Sequence, residues 1–125
     1  MPFNTHLGIR VARLHPDGVT LECTFRDELR NAVGVLHGGV TATMADAAVG
    51  IAVLRHFGGR HCTTVELKVN YFRPVTKGKL RARAYLIRTG STLCVGRVDL
   101  WDTGKRLVGA ALVTYMLLPV AVVET

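Results

Sequence analysis

From Val40 to Val53 apolar residues fill most positions (Val40, Met44, Ala45, Ala47, Ala48, Val49, Ile51, Ala52, Val53), and no polar stripe recurs at helical spacing. A run this long and this rich in alanine suits a helix, and one apolar nearly all round suits the interior of a protein. The pattern predicts a loop from Asn31, a turn at His37-Gly38-Gly39, and then a helix of about 18–20 residues. Gly58 and Gly59 follow the last apolar turn, where a left-handed C-cap can close it. Elsewhere the apolar positions recur with a period of two, the signature of strands with one buried face. Leu7 to Leu14 and Val19 to Phe25 predict two strands around the turn His15-Pro16-Asp17-Gly18, and Arg26 to Gly34 is charged and loop-like. After the helix, Thr64 to Phe72 alternates cleanly: Val65, Leu67, Val69 and Tyr71 take one face, and Thr64, Glu66, Lys68 and Asn70 take the other. Leu80 to Leu86 and Leu93 to Trp101 continue the pattern across the turn Thr89-Gly90-Ser91. Asp102-Thr103-Gly104-Lys105 is a hairpin signal.

The last strand, Leu107 to Leu118, is apolar on both faces, as expected of a strand covered on both sides, a cover that oligomer contacts can supply. The uncharged run from Val108 to Val123 is shorter than the roughly 20 residues a membrane-spanning helix needs, and it contains Pro119, so a buried strand is expected and no membrane partner. Two strands, one long helix and four strands joined by tight turns predict an α+β domain over residues 1–125. Its long central helix is wrapped by an antiparallel sheet of five to six strands, because hairpin connections make neighbours antiparallel.

Charge changes the picture next. The chain of 125 residues carries a formal net charge of +7, which calls for an anionic partner or an electrostatically steered substrate. The basic residues are spread through alternating strands with little aromatic interleaving, an arrangement that argues against nucleic acid. A nucleotide-bearing substrate such as coenzyme A needs only a few cations near its phosphates. The three cysteines (Cys23, Cys62, Cys94) are widely spaced and form no CxxC, so they read as small buried thiols of a reducing compartment. With no leader-like segment at the start, a cytoplasmic protein is expected. His6, His15, His56 and His61 lack ligand spacing, so neither a metal nor another cofactor is expected.

One position in the helix does not fit a plain core. Asp46 stands between alanines, and a lone carboxylate in such surroundings costs several kcal/mol unless a donor satisfies it. It is either a hydrogen-bonded core residue or a catalytic carboxylate in a partly desolvated cleft. The glycines at the helix start favour the second reading. The first N–H groups of a helix lack intrahelical partners and sit at the positive end of its dipole. With no Cβ at Gly38 or Gly39, a substrate can approach those N–H groups, which is how an oxyanion hole is built. Gly38 and Asp46 are eight positions apart, roughly 12 Å along a helix rising ~1.5 Å per residue. One chain cannot bring both to one carbonyl. Two helices packed antiparallel about a two-fold axis can, so a homodimer with two composite sites is expected.

Taken together, Asn31, Leu36-His37-Gly38-Gly39, Met44-Ala45-Asp46 and Tyr71-Phe72-Arg73-Pro74 resemble the hotdog-fold thioesterases. The likeness is to the phenylacetic-acid-degradation (PaaI-like) type of the 4-hydroxybenzoyl-CoA thioesterase superfamily, and it covers Phe3 to Leu118. An HGG alone is a weak signal. An HGG with Asn seven residues before its first glycine, Asp eight residues after that glycine, and a strand ending in Arg-Pro is a specific one. The resemblance implies hydrolysis of an acyl-CoA, with an aryl or medium-chain acyl group. The Gly38 N–H would bind the thioester carbonyl, and Asp46 of the partner subunit would act as nucleophile or as general base on water. Asn31 would position the water or carbonyl, and Thr64, next to Thr63, would orient the carboxylate. His37, Gly39 and Tyr71 would wall the substrate site, His37 shaping the turn. Coenzyme A would lie along the turn that holds Arg88, Gly90, Ser91 and Thr92. The resemblance further implies at least a dimer, and a dimer of dimers. The competing readings are a non-catalytic acyl-CoA-binding module and a hotdog dehydratase, the latter disfavoured because the helix carries no catalytic histidine.

Overall fold

A computed structural model describes residues 1–119. The long helix, α2, runs Gly38–His56 over 19 residues. It stops where Gly58 and Gly59 adopt φ of 67° and 98°, a backbone that favours glycine. Ahead of it lie a short helix α1 (Pro2–Leu7) and strands β1 (Arg10–His15) and β2 (Gly18–Thr24); after it come β3 (Cys62–Tyr71), β4 (Lys79–Thr89), β5 (Leu93–Trp101) and β6 (Leu107–Leu117). All six strands form one antiparallel sheet in the order β1-β2-β4-β5-β6-β3. The chain leaving α2 therefore crosses to the far edge of the sheet, and α2 packs against β2, β3, β4, β5 and β6. This is the expected helix wrapped by a sheet, in two layers.

The core lies between α2 and the inner face of the sheet. Val40, Met44, Ala45, Ala48, Val49 and Val53 are buried against Leu21, Leu80, Leu100 and Val113. Helix and sheet come so close that a Cβ at Gly96 on β5 would lie 2.7 Å from the Val49 side chain. Burial of this kind contributes roughly 1.5–3 kcal/mol per large apolar side chain.

Two expectations need correction. The chain before Gly8 is helical, and the first strand begins at Arg10, not Leu7. Pro2 presets the helical φ at the first turn of α1, and Gly8 ends it at φ 77°; six residues are too few for a helical apolar period to show. The apolar helix is not buried all round, because Thr43, Asp46, Ala47, Gly50 and Leu54 form a stripe that is only half-buried. Within a single copy the outer face of β6 is open, with Leu112 45% exposed. The apolar run from Val108 continues to Val123, of which residues 120–123 lie outside the described residues. Among the described residues no helix is long and apolar enough to cross a membrane.

Candidate active site

The segment before α2 is pinned from several sides. Asn31 Oδ1 accepts the Val33 and Val35 N–H groups at 3.1 and 3.2 Å. The Leu36 N–H donates to the Val75 carbonyl, and the His37 N–H donates to the Leu29 carbonyl. His37 is the N-cap, and its Nδ1 accepts the Gly39 N–H at 2.8 Å, so the ring proton lies on Nε2. This differs from the sequence expectation in one respect: the Gly39 N–H is consumed inside the turn and adds no second oxyanion donor. The Gly38 N–H, at the first helical position, has no partner among the described residues. The Tyr71 hydroxyl donates to the Gly38 carbonyl at 2.6 Å. Gly38, Asn31 and Tyr71 thus share one cleft of about 320 Å³, walled also by Leu36, Arg73 and Val75.

Asp46 is elsewhere. It sits in the middle of α2, half-buried, and lines no part of that cleft. Its Oδ1 accepts the Thr64 hydroxyl at 2.7 Å and the Tyr115 hydroxyl at 2.8 Å, while Oδ2 has no partner among the described residues. Thr64 reaches α2 only because the β3–β6 register slips between Thr64 and Glu66. The bulge at Val65 reverses the alternation, so Thr64, and not Val65, shares the helix-facing side with Val69 and Tyr71. Strict alternation had placed Thr64 on the opposite face. Tyr115 was missed altogether; its signal was a lone phenol in an otherwise apolar strand, whose buried hydroxyl must find a partner.

The turn with Arg88, Gly90, Ser91 and Thr92 is a third locus, closed by a hydrogen bond from the Gly90 N–H to the Leu93 carbonyl. Arg88 folds back over Gly90, and neither Arg88 nor Arg73 forms an ion pair among the described residues. The thiols are not nucleophiles poised for attack, because burial pushes Cys23, Cys62 and Cys94 above the usual range. Among the described residues no cluster of His, Cys, Asp and Glu is arranged to hold a metal.

A family model described as the thioesterase superfamily matches residues 33–109, from just ahead of the double-glycine turn to β6. The chain belongs to the thioesterase superfamily. It is 30% identical over 135 aligned positions to the medium/long-chain acyl-CoA thioesterase YigI of Escherichia coli K12, covering 94% of this chain and 86% of that protein. Acyl-coenzyme A thioesterase 13 of Homo sapiens is 34% identical over 93 residues, or 72% of this chain and 66% of that one. The crystal structure of thioesterase HI1161 from Haemophilus influenzae superposes with a TM-score of 0.88 at 26% identity, covering 93% and 82% of the two chains. The protein is accordingly a hotdog-fold thioester hydrolase.

Proposed function

We propose that this thioesterase hydrolyses an aryl- or medium-chain acyl-CoA at composite sites shared by two antiparallel copies. The observation that carries the reading is the separation of two half-sites on one helix. A free Gly38 N–H opens into an apolar cleft at one end, and an oriented carboxylate with a free oxygen waits about two turns away. Neither half can work alone, since donor and base must both reach one carbonyl. Two features support a second copy beside the first. The half-buried stripe through Asp46 leaves α2 open on one side, and β3 is a free sheet edge with Val65 and Leu67 51% and 38% exposed. The exposed outer face of β6 leaves room for a further contact, as a dimer of dimers would use.

The chemistry runs as follows. The thioester carbonyl oxygen accepts the Gly38 N–H, while the Asn31 amide lies at the same cleft. The partner's carboxylate either attacks the carbonyl carbon or takes a proton from a water that attacks it. Negative charge moves onto the carbonyl oxygen, where the N–H and helix dipole stabilise it. Collapse expels the coenzyme A thiolate: in the first route it leaves an acyl anhydride on Asp46 that a water then hydrolyses, and in the second the carboxylate passes the proton it took from water to the thiolate. Either way one water is consumed, its oxygen and one hydrogen going to the acid and its other hydrogen to the thiol. Apolar walls of the cleft suit the acyl group, and Arg73 and Arg88, free of ion pairs, suit the phosphates. The test is thiol release from a panel of aryl-, medium- and long-chain acyl-CoA substrates. Asp46→Asn should lower kcat by at least about two orders of magnitude, and full turnover in a clean preparation of that variant overturns the reading.

A further inference from the structure

Two hydroxyl groups converge on the same oxygen of Asp46. The Thr64 and Tyr115 oxygens stand 2.7 and 2.8 Å from Oδ1, and the Tyr115 oxygen also lies 2.9 Å from the Asp46 carbonyl. A carboxylate on a two-rotamer stem would ordinarily present either oxygen. Here one oxygen is tethered from two strands and the other is left without a partner. From this convergence we infer that Tyr115 is a positioning residue, which with Thr64 makes Oδ1 the anchored oxygen and Oδ2 the reacting one. The inference rests on the reading of Asp46 as the catalytic carboxylate.

The helix itself is built to admit the phenol. A Cβ at Gly50, one turn after Asp46, would come within 2.5 Å of the Tyr115 hydroxyl oxygen and 2.8 Å of its ring. Contacts that short do not occur, and the ring is a rigid group, 7% exposed, with little room to retreat. Glycine weakens a helix interior relative to alanine, so Gly50 is a local sacrifice of helix stability that makes space for the tyrosine. The ring needs that gap for packing in any case, but packing alone would not require its hydroxyl to end at a carboxylate oxygen.

The surroundings make the effect measurable. The titratable groups facing Asp46 among the described residues are Tyr115 from β6 and Cys62 from β3; burial raises both above their usual range, and the aspartate adds to this. Both are neutral at neutral pH. No cation faces the carboxylate from α2, β3 or β6 within ion-pair distance. The acid limb of the wild-type kcat profile is the reference against which each variant's limb is read.

The experiment compares wild type, Tyr115→Phe, Gly50→Ala, the double variant and Asp46→Asn, using steady-state thiol release across pH with one acyl-CoA substrate. Tyr115→Phe should lower kcat about tenfold, the scale of one lost hydrogen bond to a charged group, with KM unchanged within about twofold. Its acid limb should move to higher pH, because losing a donor to the charged form favours the neutral acid. Gly50→Ala should reproduce both changes by displacing the phenol, and the double variant should be no worse than the more impaired single one. Wild-type kcat and an unmoved limb in Tyr115→Phe, with Asp46→Asn inactive, overturn the inference and leave the carboxylate's role standing. Activity in Asp46→Asn sinks both. Should Tyr115→Phe fail to fold, Gly50→Ala alone decides: an unchanged kcat and limb overturn the inference.

Discussion

In the proposed mechanism a single N–H group carries the developing charge, because His37 has taken its neighbour's. That makes the donor at Gly38 separable from the helix it begins. Proline is at home at the first helical position, where it deletes an N–H that no carbonyl was using. His37 precedes it with φ −60° and ψ 131°, the extended backbone that a following proline requires. Gly38→Pro should thus keep the fold, with a melting temperature within a few degrees of wild type, and lose about 10²–10³ in kcat, the typical effect of removing an oxyanion donor. A variant of normal turnover would mean that the carbonyl is bound elsewhere. Residue chemistry of this sort was legible in the sequence wherever the residue contradicted its surroundings, as Asp46 does among alanines and Gly38 does at a helix start. Tyr115 gave a weaker signal, because a lone phenol in an apolar strand also looks like core. Its hydroxyl acquires meaning only when β6 is laid beside β3 and under α2.

At the scale of elements, periodicity gave the long helix and the strands to within a few residues, because each buries one face in a fixed register. It failed where a local device breaks the period. The bulge at Val65 is one residue long, yet it turns Thr64 from the solvent side to the helix side, and no alternating pattern announces it. A cross-strand device on the outer face was equally hidden. Glu22 on β2 is 6% exposed and is held by Arg10 on β1 and by Lys79 and Arg81 on β4, so one carboxylate ties three strands. Burial alone would raise its pKa, but the hydrogen bond from Lys79 and the charges of Arg10, Lys79 and Arg81 outweigh burial and hold it below the ordinary 4.5. A carboxyl depressed in the folded state stabilises the fold above its unfolded value and loses that contribution as pH falls through the folded one. Glu22→Gln should lower the melting temperature at pH 7 by several degrees, having left three cations without their counter-ion. It should also flatten the fall in stability below about pH 4.5. Thermal melts of both proteins between pH 3 and 7 check this, and parallel curves would show that the network contributes nothing net.

On the scale of the whole molecule, a single copy is a fold with unfinished surfaces. An apolar helix is uncovered along the stripe holding its only carboxylate, and the strand that orients that carboxylate is a free edge. Sequence put Gly38 and Asp46 eight positions apart on one helix, which is what the proposed two-chain site rests on; which faces stay open needed the sheet order. Complementation follows from the same geometry. In a mixture of Gly38→Pro and Asp46→Asn chains, a heterodimer has one site that combines both defects and one that combines two intact halves. Each homodimer has a defect in both sites. Random exchange gives half heterodimers, each with one of two sites restored, so activity should rise from near zero to about one quarter of wild type at equal total protein. Unmixed variants held at the same concentration supply the baseline, and exchange can be followed by differently tagged chains. A site built within one chain would give no recovery at any ratio, because each chain would bring its own defect to its own carbonyl. Recovery above one quarter would mark a preference for the heterodimer, up to a ceiling of about one half, and anything beyond that would require a variant active alone, which the baseline would already have shown.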